Sequence, residues 1–224
     1  MTPDAVRDAF VARAGGVFTY HRAWHHLASR EKHALLWEYY GSADTRGDPA
    51  LYSGASVHEL RAQRRHSIEH VVPRAVLRRW LGDARRRVRN GACANPLNLT
   101  AEDSRINSLR GDAPFDLDGD TARVLARVRG AAPAATEVGL DAEGQWVPPP
   151  RVRGDIARTV LYMTLVYRLP LPLDARWLAW LREDPPSEAE RAFSRWTRAR
   201  WRIGNPLVED PEALEMLLFA LNWS

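Results

Sequence analysis

Pro73 is the residue that most limits how this chain folds around its richest run of polar chemistry. It follows Ser67-Ile68-Glu69-His70-Val71-Val72, a short run carrying the β-branched residues Ile68, Val71 and Val72. Proline has no amide donor and pushes the residue before it out of the helical region, so the run reads as a strand that ends here. Glu69 and His70 then stand at a strand end. In an ideal strand adjacent side chains point to opposite faces, and both can serve one site only where the strand twists or stops.

The same residues spell His66-Ser67-Ile68-Glu69-His70, an H-x-x-E-H pattern. In inverted zinc peptidases it supplies two histidine ligands and a glutamate base. That reading needs a helix, with His66 and His70 one turn apart on one face, and a further acidic ligand downstream. Pro73 argues against the helix and no downstream acid stands out. The zinc peptidase is kept as an alternative.

Beyond Pro73, Val76, Leu77, Trp80 and Leu81 have helical spacing, and the basic run Arg85 to Arg89 leads to the turn residues Asn90-Gly91. Leu97 to Leu99 is expected to form a second short strand. Thr100 with Asp103 resembles a cap for a helix that ends before Gly111. Strand, excursion, strand and helix make a ββα layout. On its helix Asp103, Asn107 and Arg110 share one face, while Ile106 and Leu109 share an apolar one.

Helical spacing also covers Pro3 to about Ala14, Tyr20 to Tyr40, Asp155 to Tyr167, Asp174 to Leu181, Ser187 to about Arg202 and Asp210 to Leu221. Residues 41–63 read as a long connection and 116–150 as a surface loop. The tryptophans recur at helical spacing and are expected in the core rather than as base-stacking platforms; Arg153 and Arg158 are expected to be structural. The fold class is α+β, a helix-rich single domain over residues 1–224 around a ββα core.

The chemistry of the central residues points to phosphodiester hydrolysis. His70, neutral near pH 7, can act as a general base toward water. Glu69 can hold a hard divalent cation, with magnesium expected and manganese or calcium able to use the same oxygen donors. Asn107 offers a carbonyl oxygen as a neutral second ligand, and Asn98 is expected to orient the site by binding the backbone of the loop. Charge agrees: the chain sums to +4, and between Arg61 and Arg129 fifteen arginines face eight acids, which leaves the rest near −3. A basic surface around the site fits a phosphate-rich partner. A noncatalytic nucleic-acid-binding module would share that charge but would not need Glu69, His70 and Asn107 together.

Cys93 is the only cysteine, so no disulfide forms within the chain. No apolar run is long enough for a membrane helix, and the acidic first residues are unlike a signal peptide. The chain as written is expected in the cytoplasm unless another route exports it. A nonspecific nuclease there would threaten its own genome, so an inhibitor protein, export or restricted expression is expected.

Taken together, Ile68-Glu69-His70-Val71-Val72-Pro73, Asn98-Leu99 and Asn107-Ser108-Leu109-Arg110 resemble the endonuclease I family of bacterial nonspecific nucleases, in the ββα-metal or His-Me finger group. The likeness starts loosely at His33 to Tyr52. It returns at Arg153-Gly154-Asp155-Ile156-Ala157-Arg158, at Tyr162-Met163 and Tyr167, and at Gly204-Asn205-Pro206-Leu207 with Asp210-Pro211. The resemblance implies His70 as base, Glu69 and Asn107 as metal ligands, and an arginine between the motif halves that stabilises the transition-state phosphate. Arg89 is the first choice for it and Arg87 the second. Arg87 and Arg110 are expected to bind substrate. Double- or single-stranded DNA would be cut, and RNA by the same site, leaving 5′ phosphates. The middle motif departs from the common Asp-x-His-Asn-Leu form, reading Asn95-Pro96-Leu97-Asn98-Leu99.

Overall fold

The site is carried by a two-stranded antiparallel ribbon and the helix that leaves it. A computed structural model describes residues 3–14, 29–42, 48–82, 86–120, 124, 128, 138–170 and 174–221. Strand β1 (His66–His70) pairs with β2 (Leu99–Asp103), His66 opposite Asp103 and His70 opposite Leu99. Asp103 ends β2 and caps the next helix, its carboxylate accepting from the Arg105 amide at 2.9 Å. Gly111, at φ 56°, closes that helix (Ser104–Arg110) in a backbone conformation costly for any residue with a Cβ.

Helices fill the rest of the described chain: α1 (Pro3–Arg13), α2 (Ser29–Tyr39), α3 (Val57–Ala62), α4 (Arg74–Leu81), α5 (Arg86–Cys93), α6 (Ser104–Arg110), α7 (Arg153–Tyr167), α8 (Ala175–Glu183), α9 (Glu188–Trp201), α10 (Pro206–Glu209) and α11 (Pro211–Leu221). A second ribbon pairs β3 (Gly139–Leu140) with β4 (Trp146–Val147). The architecture is helix-rich with small antiparallel sheets, as expected of α+β. None of these helices is long and apolar enough to cross a membrane, among the described residues.

Helix α7 is buried on nearly all sides, Ile156, Leu161 and Met163 completely, and it organises the larger core with Trp177, Trp180 and Trp201. Among the described residues Trp177, Trp180 and Trp201 are core residues and Trp196 packs partly buried against them, as their spacing predicted. Arg158 is enclosed with them. Its Nε donates to Glu190 Oε1 at 2.8 Å, Nη2 to Glu190 Oε2 at 2.6 Å and Asp155 Oδ1 at 2.7 Å, and Nη1 to the Asp184 carbonyl at 2.6 Å. Glu190 also completes the capping box with Ser187 that starts α9. One arginine thus joins α7 to α9, which is the structural role expected of it.

Several local expectations change. The connection over 41–63 contains α3, whose first turn Ser56 caps. Asn90 and Gly91 lie inside α5 rather than in a turn, because Gly91 and Ala92 are buried and carry at most a methyl group, which lets the helix sit close to its neighbours. Leu97 is not in a strand. Asn95 accepts from the Leu97 amide at 3.0 Å and sets a 3-10 turn over Pro96–Asn98, which delays β2 to Leu99. Thr100 is inside β2, so Asp103 itself is the cap. The stretch 116–150 is not all surface loop: Trp146 and Val147 are fully buried. The helix expected from Tyr20 and the cluster His21, His25 and His26 lie outside the described residues, apart from α2.

Replacing Arg158 by alanine would strand the Glu190 carboxylate, largely buried, without its partner. The expected loss is about 3–5 kcal/mol of unfolding free energy, measured by urea denaturation.

Candidate active site

Alternation places Ser67 and Glu69 on one face of β1, and α6 lies across that face. The Asn107 amide nitrogen donates to Ser67 Oγ at 2.9 Å and to the Ile68 carbonyl at 3.0 Å. One turn later Arg110 reaches Glu69, with Nη1 3.3 Å from Oε1. The i and i+3 spacing read from sequence is what brings both side chains to the strand. A backbone carbonyl only accepts, so the Ile68 contact fixes which end of the Asn107 amide is nitrogen. Its carbonyl oxygen is directed elsewhere.

Glu69 is 2% exposed. Its Oε1 also accepts from the Tyr52 hydroxyl at 2.9 Å. Burial pushes the Glu69 carboxyl up to about 7, and Arg110, Tyr52 and the His70 amide offset only part of that rise. Losing hydration outweighs one cation at 3.3 Å, since neither charge has water to share.

His70 ends β1, and its Nε2 lies 2.9 Å from the carbonyl oxygen of Cys93, the last residue of α5. Because that carbonyl is an acceptor only, Nε2 carries the proton and Nδ1 of the neutral ring keeps its lone pair. Burial pulls the His70 pKa down to about 4, with the charges of Arg74, His33 and Arg110 adding to the fall and the Cys93 contact opposing it. The ring is therefore neutral at pH 7.

The backbone after His70 is fixed by Asn98. Its Oδ1 accepts from the Val72 amide at 2.7 Å and its Nδ2 donates to the Val72 carbonyl at 3.0 Å, while the Val71 amide donates to the Asn98 carbonyl at 3.1 Å. These bonds extend the ribbon past its last formal pair and orient the chain on both sides of Pro73.

The arginines separate. Arg110 was expected to bind substrate, but it is 2% exposed and both its terminal nitrogens are engaged: Nη1 on Glu69, the His70 carbonyl at 3.3 Å and the Gly111 carbonyl at 3.1 Å, Nη2 on the Val71 carbonyl at 2.7 Å, and its guanidinium 4.9 Å from the Phe115 ring centroid. Burial and these partners make it a structural clamp. Arg89 lies on α5, one turn before Cys93, with Nη1 3.4 Å from the Gly82 carbonyl. The Arg87 side chain is outside the described residues. Arg74, Arg78 and Arg79 on α4 are exposed.

Tyr52 and the Cys93 carbonyl are the two partners the sequence did not disclose. Tyr52 sits in a connection at the loose start of the family likeness and was given no role there, and a backbone carbonyl carries no signature of residue type.

The zinc arrangement is not formed. His66 and His70 are at opposite ends of a strand, four residues or roughly 13 Å apart, instead of one helical turn. His66 packs edge-on to Trp37, ring centroids 4.6 Å apart. Among the described residues no group of three His, Cys, Asp or Glu could hold a metal. The Glu69 carboxylate and the Asn107 carbonyl, by contrast, are a pair of hard oxygen donors, which suits a divalent ion that retains much of its water.

Comparison with known proteins agrees with this chemistry and gives first a class, an enzyme that cleaves nucleic acid. The family model for endonuclease I matches residues 43–212, and the chain belongs to the endonuclease I family. Membership implies a divalent metal cofactor and a nucleic-acid substrate. No curated protein matches the chain.

Two outcomes follow from the buried polar groups. Replacing Asn98 by alanine leaves the Val72 amide and carbonyl without partners in a closed environment, and unfolding free energy should fall by about 2–3 kcal/mol in urea titration. The second concerns pH. His70 has a folded pKa of about 4, below its ordinary 6.5, so between those values the unfolded chain binds the extra proton. Stability from this group is complete above pH 6.5 and is lost as pH falls toward 4. The unfolding free energy of the wild type relative to His70→Gln should therefore shift in the variant's favour across that window.

Proposed function

We propose that the chain hydrolyses phosphodiester bonds of DNA, and of RNA by the same site, with little sequence preference, using one magnesium-like ion and leaving 5′-phosphate ends. The observation that carries this reading is the Nε2 contact of His70 with the Cys93 carbonyl at 2.9 Å. It leaves Nδ1 as a neutral general base beside a strand whose neighbouring residue is a buried carboxylate.

In this mechanism His70 Nδ1 takes a proton from the water that attacks phosphorus, and α5 keeps the ring from turning. The raised pKa of about 7 at Glu69 means that its carboxylate ionises fully only with added positive charge nearby. Glu69 and Asn107 would hold the divalent ion, which when bound supplies Lewis-acid stabilisation of charge developing on the leaving 3′ oxygen. Arg89 would stabilise the phosphate in the transition state, and it stands on the helix that orients the base. Arg74, Arg78 and Arg79 would follow the nucleic-acid backbone, which makes binding salt-dependent. Residues 1–224 would act as a single domain, and an inhibitor protein would be a further partner.

Supercoiled plasmid incubated with the protein and magnesium should be nicked and then linearised, and excess chelator should stop this. His70→Ala should lower the rate by at least about 100-fold, the range of a lost general base. Cleavage by His70→Ala at the wild-type rate would overturn the assignment. Cleavage of an RNA substrate in parallel checks the breadth of substrate.

A further inference from the structure

The Glu69 carboxylate meets two side chains at a single oxygen, besides the His70 amide that also donates to it. Tyr52 Oη donates to Oε1 at 2.9 Å, and Arg110 Nη1 is 3.3 Å from the same atom. The hydroxyl donates and the guanidinium pairs by charge, so both hold the carboxylate through Oε1.

Tyr52 is itself held rigidly. Its ring is fully buried and meets the Trp146 ring edge-on at a centroid separation of 5.3 Å. Its amide donates to Glu102 Oε2 at 2.5 Å, and the next amide, of Ser53, donates to the same oxygen at 3.3 Å. Its carbonyl accepts from Arg151 Nη2 at 2.6 Å. Glu102 is fully buried on β2, and its Oε1 accepts from the Asp103 amide at 2.7 Å. The loop before α3 is thus tied to β2 by the Glu102 carboxylate, and the hydroxyl it carries reaches Glu69.

We propose that Tyr52 is a positioning residue for the cation site: its hydroxyl, with Arg110, holds Oε1 of Glu69 and so fixes the orientation in which the carboxylate meets the divalent ion. Glu102 acts behind it by fixing the loop. The proposal rests on the reading of Glu69 as a cation ligand.

A purely structural hydroxyl would affect stability without touching metal affinity, and the test separates the two. Mn2+ binding to the purified full-length chain is measured without substrate, by the electron paramagnetic resonance signal of free Mn2+, for wild type, Tyr52→Phe and Glu69→Gln, with thermal unfolding of each. Phenylalanine keeps the ring against Trp146, so Tyr52→Phe should stay folded. It should weaken Mn2+ binding about tenfold or more, the effect of losing a partner that orients a ligand. Glu69→Gln should abolish binding. The half-saturating magnesium concentration for plasmid cleavage should rise in step in Tyr52→Phe, with the rate largely recovered at high metal. If Glu69→Gln loses Mn2+ while Tyr52→Phe binds as tightly as wild type, the positioning role is overturned and the ligand reading stands. If Glu69→Gln binds Mn2+ like wild type, the ligand reading fails and the Tyr52 role fails with it.

Discussion

A single buried guanidinium holds the end of β1 in shape. Arg110 comes from the last turn of α6 and binds Glu69, the His70 and Val71 carbonyls and Gly111. Without it three acceptors at the end of β1 would be buried with fewer partners, each costly in a medium that excludes water. The cation also sets the charge state of its neighbourhood. It favours an ionised Glu69 and disfavours a protonated His70, which are the two states that the proposed mechanism requires.

Around that clamp the polar groups are arranged by exclusion. Asn98 takes both backbone groups of Val72. The Cys93 carbonyl takes one nitrogen of His70, and the nitrogen of Asn107 is spent on β1. Each bond removes one option from its owner and leaves a specific atom: Nδ1 of His70 and the carbonyl oxygen of Asn107. Burial strengthens these interactions and makes their loss expensive, so positioning and stability draw on the same contacts. Arg158 does comparable work at the far side of the core, where it fastens α7 to α9.

The legible parts of the sequence were those in which residue type and local geometry are tied. Pro73 ended the strand, Ser187 with Glu190 announced α9, and the spacing of Asn107 and Arg110 put both on β1. Legibility failed where distant packing decides. Gly91 reads as a turn residue, but burial keeps it in α5, and Trp146 lies in a stretch rich in Ala, Gly and Pro that nonetheless enters the core. Arg110 shows the limit most clearly: its face on the helix was readable, but whether that face meets substrate or a buried carboxylate depends on what covers it. Tyr52 was invisible for the same reason, its partner being 17 residues away across a fold that sequence spacing does not encode.

The Cys93 carbonyl fixes His70 with its proton on Nε2 and its lone pair on Nδ1. Nitrogen-15 NMR of the histidine ring in the free protein, titrated from pH 7 down to 4, reads this state directly, with His70→Gln used to assign the signal. The expected result is a neutral Nε2–H tautomer that persists well below pH 6.5 and takes up a proton only near pH 4. A ring protonated on Nδ1 while neutral, or one already an imidazolium at pH 6, would contradict it.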